Sequence, residues 1–83
     1  MRVRLTQIDG ALPNLALMKL GAWHRQQGDD VFYTRHVDIQ AGEPPTDMHY
    51  GSALFDFSRS RIERFLRAFP NAILGGTGVD PIA

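Results

Sequence analysis

The sequence contains no cysteine among its 83 residues. Without a thiol, these residues cannot form a disulfide, use thiolate catalysis or bind a metal ion or iron–sulfur cluster through cysteine. Net charge is absent as well, because nine Lys and Arg residues balance nine Asp and Glu residues. A neutral chain has no overall field that attracts nucleic acid, so we expect no nucleic-acid partner. The lack of cysteine suits the reducing cytoplasm, where we expect the protein to reside.

Long apolar runs and the familiar catalytic motifs are missing too. The longest nearly uncharged stretch, residues 10–18, is too short to span a bilayer, and the first residues lack the apolar core of a signal peptide. Neither G-x-x-x-x-G-K-[ST] nor G-x-G-x-x-G nor G-x-S-x-G occurs. His24, His36 and His49 lie too far apart in sequence to form a zinc-binding pair on one helix. We therefore predict no membrane partner, no catalytic residue and no metal ligand in this chain.

Hydrophobic and β-branched residues instead indicate an alternation of strands and helices. Asn14 is a suitable N-cap and Gly28 a suitable left-handed stop for the first helix. Ser60 and Glu63 form a capping box for the second helix, which Pro70 ends. The predicted strands are residues 3–8, 30–36, one within 48–57, and 71–75, and the predicted helices are residues 14–27 and 60–69.

This order predicts an α/β fold for a single domain of residues 1–83. A small doubly wound parallel sheet of four strands in the order 2-1-3-4, with its two helices on opposite faces, satisfies the right-handed crossover rule. The connection between the second and third strands carries no helix, and neither a fifth strand nor a final helix follows. We therefore expect part of the apolar surface to be left uncovered. Our hypothesis is that the domain docks against the rest of a longer chain or a second copy.

Ligands of such sheets bind beyond the carboxyl ends of the strands, where the strand order reverses. The loop after the first strand begins with Asp9 and Gly10, and the loop after the fourth strand contains three glycines. Without a Cβ, those glycines allow a ligand to approach the backbone, although a plain tight turn explains them equally well. The glycine-rich residues are Gly75, Gly76, Thr77 and Gly78.

Two residues of the first loop have alternative roles. Asp9 can accept a hydrogen bond from a ligand or cap its own turn. Asn14 is first a helix cap, and the helix N-terminus behind it favours an anionic group.

Three stretches resemble one protein family. They read QIDGALPNLALMKLGAWHRQQGDDV, YGSALFDFS and NAILGGTG, and together they look like the N-terminal cobalamin-binding-like, flavodoxin-like domain of radical SAM proteins. In that family the first helix follows a proline-bearing loop and ends at glycine, a serine stands in the third strand, and a Gly-Gly turn follows the fourth. The matching residues here are Pro13, Gly28, Ser52, Gly75 and Gly76.

The resemblance implies a non-catalytic domain that binds cobalamin or lines a substrate or cofactor crevice. The implied cofactor or interface positions are Ser52, Gly75, Gly76, Thr77 and the loop from Asp9 to Asn14. An iron–sulfur cluster and S-adenosylmethionine would belong to a barrel in a continuation of the chain. The cobalt-binding motif D-x-H-x-x-G is not present, since no histidine follows Asp9 at that spacing.

Two other functions remain open from the sequence. One is a free-standing module that binds a small ligand or a phosphate group. The other is a protein-interaction domain that oligomerises through an uncovered face of its sheet.

Overall fold

The computed structural model describes residues 1–10, 14–53 and 59–75. Four parallel strands form one sheet in the order β2-β1-β3-β4, which confirms the predicted α/β fold. Of the predicted site residues, Pro13, Gly76, Thr77 and Gly78 lie outside the described ranges. The elements are β1 Arg2–Gln7, α1 Leu15–Gln26, β2 Asp30–Thr34, β3 Met48–Ser52, α2 Arg59–Ala68 and β4 Ile73–Gly75.

The ends of α1 are those that the sequence predicts. The Asn14 side chain accepts a hydrogen bond from the Leu17 N–H at 3.1 Å, which satisfies one amide of the first turn. Gly28 follows the helix with φ at 86°, a left-handed conformation that glycine adopts without strain. These two residues set the length of the helix.

The buried face of α1 differs from the prediction. The sequence indicates a wide apolar stripe on this helix, which includes Leu17, Met18 and Trp23. Leu17 is buried as expected, but Met18 and Trp23 are exposed, and the other buried residues of the helix are Gly21 and His24. A Cβ at Gly21 would lie 3.1 Å from Leu5 Cδ1, so this glycine brings the helix close to the sheet. Because α1 lies so close to the sheet, a narrow face of the helix packs against it. The apolar residues on the flanks of the helix therefore stay exposed.

The second helix covers the opposite face of the sheet. It begins at Arg59, so Ser60 lies within its first turn. The prediction that Ser60 caps the helix is therefore wrong. Ile62 and Phe65 point inward, and both belong to the apolar cluster of that face. This cluster contains Ile8, Val37, Ala53, Ile62, Phe65 and Phe69, whereas the cluster under α1 contains Val3, Leu5 and Leu17. Two thin cores thus lie on either side of one sheet.

Arg4 of the central strand β1 is fully buried, although it is a charged residue between the apolar residues Val3 and Leu5. Its guanidinium donates to the Thr6 hydroxyl and to the backbone carbonyls of His36, at 2.8 Å, and Asp38, at 3.1 Å. Both carbonyls belong to the connection between β2 and β3, residues 35–47. Arg4 therefore attaches this connection, which replaces the usual crossover helix, to the sheet.

Glu43 and Phe69 complete the surroundings of Arg4. The Glu43 carboxylate forms an ion pair with Arg4, and only 3% of its side chain is exposed. The Arg4 guanidinium carbon lies 4.5 Å from the centre of the Phe69 ring, within the range of a cation–π contact. Five N–H donors on a rigid plane allow arginine to make these contacts together, which lysine cannot do.

Acid is expected to destabilise the protein in two steps. Burial and the nearby charge of Arg4 hold the pKa of His49 below its ordinary 6.5. The hydrogen bond from Arg4 holds the pKa of Glu43 below its ordinary 4.5. In both cases the unfolded chain binds the proton more readily, so stability is greatest at higher pH and falls as the pH drops through these values.

Thermal denaturation measured across pH tests this expectation. The melting temperature should decline below pH 6.5 and decline further below pH 4.5. A Glu43→Gln variant should melt lower at neutral pH but lose less on acidification. An acid decline that is the same in wild type and variant would contradict the role of Glu43.

Candidate functional site

The carboxyl ends of the strands bring the described candidate residues to one edge of the sheet. Asp9 and Gly10 follow β1, Asn14 precedes α1, and Ser52 and Gly75 end β3 and β4. Gly10 has φ at 89°, so the chain turns sharply there, and its carbonyl accepts a hydrogen bond from the Gln7 side chain at 3.0 Å. The predicted convergence of the first loop with the ends of β3 and β4 is thus confirmed for the described residues.

Asn14 and Ser52 are in direct contact. The Asn14 side-chain amide donates to the Ser52 hydroxyl oxygen at 2.8 Å while its carbonyl oxygen caps α1. Both residues are at least nine-tenths buried. Asn14 therefore links the start of the first helix to the end of β3. Its role as a cap is confirmed, and its amide orients the serine.

Gln7 and Tyr33 extend this polar cluster, although the sequence gives no reason to single them out. The Tyr33 hydroxyl donates to the Gln7 side-chain oxygen and accepts from the Asn14 N–H at 3.4 Å. Gln7 pairs in register with Ser52, so both side chains lie on the α1 face. Their place in the site follows from the register of the strands, which only the assembled sheet provides.

Gly75 leaves open space beside Ser52. The two residues are paired in register across β3 and β4, and the Ala53 N–H donates to the Gly75 carbonyl at 3.1 Å. A Cβ built on Gly75 would meet no atom of the described part of the chain within 4 Å. Among the described glycines, Gly75 does not have the positive φ that Gly10, Gly28 and Gly42 have. Neither local conformation nor packing within the described chain accounts for glycine here.

The buried histidine, His24, lies near the opposite end of the sheet. One ring nitrogen contacts the Asp29 carboxylate at 2.9 Å, and the other contacts the Tyr50 hydroxyl at 3.0 Å. The hydrogen bond with His24 is the main reason why the pKa of Asp29 lies below its ordinary 3.8. The N-terminal amine, 3.2 Å from the same carboxylate, acts in the same direction. This cluster fastens the end of α1 to the sheet and is remote from the carboxyl edge.

Metal binding and membrane insertion find no support in the described ranges. No group of three or more His, Asp or Glu side chains within them is arranged to hold a metal ion. No helix of residues 1–10, 14–53 and 59–75 has the length and apolar character needed to cross a membrane.

Two arginines of α2, Arg61 and Arg64, contact other parts of the protein. Arg61 donates to the carbonyls of Ile8, at 2.7 Å, and Arg35, at 3.1 Å. Arg64 pairs with Asp38, and both side chains are about half exposed. These contacts attach the helix to the ends of β1 and β2.

Comparisons with known proteins do not assign this chain to a group. No protein-family model, no curated protein and no solved structure matches it. Function is therefore inferred from the residues at the carboxyl edge.

Proposed function

We propose that this chain is a non-catalytic, flavodoxin-like domain whose carboxyl edge forms one wall of a ligand crevice. The observation that carries the proposal is the open space over Gly75, directly beside the buried Ser52. Crevices at this position are where open parallel sheets bind their ligands. A glycine that the described fold does not require is consistent with a ligand that lies against the backbone.

The Ser52 hydroxyl is suited to a ligand with a hydrogen-bond acceptor. Its oxygen accepts from Asn14, so its own O–H remains available as a donor. The donor lies on the same face as the open space over Gly75. An amide carbonyl, a ring nitrogen or a phosphate oxygen would satisfy it.

The resemblance to the N-terminal domains of radical SAM proteins makes cobalamin the first ligand to test. In such a protein another domain would bind the iron–sulfur cluster and S-adenosylmethionine. The reaction would take place in that domain. Ser52 and Gly75 are suited to contact a ring or a side group of cobalamin. No histidine follows Asp9 at the spacing of the cobalt-binding motif, and His24 and His49 are engaged elsewhere, with Asp29 and Thr46.

Apolar side chains exposed on the α1 side support a domain that docks against further protein. Trp23 is 55% exposed, and Ile73 of β4 is 46% exposed. Leu15 and Met18 on the same helix are exposed as well. A small domain stabilised by two thin cores gains from covering such surface.

Substitution of Gly75 by Val is expected to abolish ligand binding while the fold is retained. The new side chain would fill the open space beside Ser52, where a ligand would otherwise lie. Titration of hydroxocobalamin, followed by its visible absorption, measures binding, and inorganic phosphate tested by calorimetry represents the alternative ligand class. Circular dichroism verifies folding.

The matched control is Ile73→Ala, two residues earlier on the same face of β4. This variant should bind as the wild type does. If the wild type binds neither hydroxocobalamin nor inorganic phosphate, the ligand proposal is refuted. Equal binding by wild type and Gly75→Val would place the ligand elsewhere.

A further inference from the structure

A groove lies between α1 and β2 on the α1 face of the sheet. Its volume is about 490 Å³, which is within the range of small-molecule sites, roughly 300–1,000 Å³. Leu5 and Leu17, each 1% exposed, belong to its lining together with the buried Gly21. The floor of the groove is therefore apolar and is part of the core itself.

Side chains of α1 and β2 form the walls of the groove. Met18 and Ala22 lie on the α1 side, and Tyr33 lies on the β2 side. Ala22 is small and exposed, so it leaves the space above the floor open. The Tyr33 hydroxyl is hydrogen-bonded to the Gln7 side chain and to the Asn14 N–H, which holds the tyrosine ring in place as a wall.

Arg25 provides a positive charge at the groove. Of the described residues that line the groove, only Arg25 is charged. A Cβ on Gly21 would lie 3.6 Å from a guanidinium nitrogen of Arg25, so the guanidinium extends back over the floor of the groove. The ion pairs of the described residues do not include Arg25. Its charge is therefore available to a ligand in the groove.

The two acidic residues that follow α1 do not provide a counter-charge. Asp29 contacts His24 and the N-terminal amine. Asp30 and Val31 are successive residues of β2, so their side chains point to opposite faces of the sheet. Because the Val31 side chain lies next to Gly21 under α1, Asp30 points to the face that is remote from the groove.

We propose that this groove binds an apolar carboxylate. The apolar body of the ligand would lie on Leu5 and Leu17 beside the Tyr33 ring, and its carboxylate would accept hydrogen bonds from the Arg25 guanidinium. A planar guanidinium donates two parallel hydrogen bonds to a carboxylate. One cation above an apolar floor selects a ligand with one negative charge and an apolar body, so charge complementarity identifies the occupant.

The groove is separate from the proposed ligand crevice at the carboxyl edge. Asn14 lies between the two, because its backbone N–H contacts Tyr33 and its side chain contacts Ser52. The lining of the groove includes neither Ser52 nor Gly75. The inference therefore does not rest on the proposed function.

Titration of the whole chain with cinnamate, followed by two-dimensional nitrogen–proton NMR, tests the proposal. The amide signals of Gly21, Ala22 and Tyr33 should shift on binding, whereas those of Ser52 and Gly75 should stay in place. Cinnamamide has the same apolar body without the charge and should bind about fivefold more weakly than cinnamate. Octanoate tests whether the groove takes a chain as well as a ring, and binding of either acid supports the proposal.

Three variants test the roles of the charge and of the open space. Arg25→Gln should weaken cinnamate binding about fivefold and change cinnamamide binding much less. Lys19→Gln is the matched control, because it removes a positive charge from an exposed position of the same helix outside the groove. It should bind cinnamate as the wild type does. Ala22→Trp fills the groove and should abolish binding, with folding verified by circular dichroism.

Several outcomes would overturn the proposal. One is that neither acid binds, and another is that the acids shift Ser52 and Gly75 instead of the groove amides. Equal weakening by Arg25→Gln and Lys19→Gln would show that overall charge, not the groove, attracts the acid.

Sedimentation velocity tests a protein occupant. If neither acid binds, and the wild type self-associates but Ala22→Trp does not, then a second copy occupies the groove and the proposal is wrong. If Ala22→Trp does not fold, the comparison of Arg25→Gln with Lys19→Gln decides. None of these measurements uses cobalamin or phosphate, so the ligand crevice at the carboxyl edge is tested separately.

Discussion

Replacement of Arg4 by Met is expected to lower the free energy of unfolding by about 3 kcal/mol or more. The variant leaves the Glu43 carboxylate, with 3% of its side chain exposed, without its cationic partner. It also removes the donors to the carbonyls of His36 and Asp38. Because these contacts hold the β2–β3 connection against the sheet, the loss should destabilise the whole domain. Urea denaturation followed by circular dichroism measures it.

Arg64→Met is the matched control, since Arg64 pairs with Asp38 of the same connection but is about half exposed. Its cost should stay within about 0.5 kcal/mol. The double variant Arg4→Met with Glu43→Leu should recover much of the stability, because no unpaired charge remains. Equal destabilisation by Arg4→Met and Arg64→Met would show that the buried ion pair does not hold the connection.

A methyl group at Gly51 is expected to destabilise the protein by about 1–3 kcal/mol. A Cβ there would lie 2.6 Å from Phe65 Cε2 and 3.0 Å from Leu74 Cδ2, both closer than van der Waals contact. Phe65 is fully buried between α2 and the sheet, so its ring has no free space to move into. Gly51→Ala should therefore push α2 away from β3. Thermal denaturation gives the size of the effect.

Gly75→Ala is the control, because its new methyl meets open space in the same sheet. That substitution should be neutral or slightly stabilising, since alanine restricts the unfolded chain. Adding Phe65→Leu to Gly51→Ala should reduce the clash and recover part of the loss. If Gly51→Ala and Gly75→Ala were equally stable, the contact between Gly51 and Phe65 would not be as tight as the structure shows.

The local elements were largely readable from single residues. Asn14 and Gly28 mark the ends of α1 because capping and left-handed stops depend only on the nearest backbone groups. The order of strands and helices then gives the parallel sheet, because right-handed crossovers leave few alternatives. The sequence also indicates that Ser52 and Gly75 meet the loop after β1, because parallel strands end at the same edge.

Other features could not be read along the chain. The burial of Arg4 depends on a connection more than thirty residues away that folds over β1. His24 is buried because Gly21 brings α1 close to Leu5, which turns the helix away from its apolar stripe. In both cases a contact between distant segments overrides the local pattern.

The sequence by itself determined the kinds of elements, their ends and their order, because capping, glycine conformation and crossover handedness act over short distances. Only the tertiary structure decided which polar groups lie inside, because a charge such as Arg4 can be buried only where a partner from another segment meets it. It also decided that β2 and β4 lie at the two edges of the sheet in the described residues, since strand pairing depends on register and neighbours. The ligand wall that we propose arises from this second kind of information.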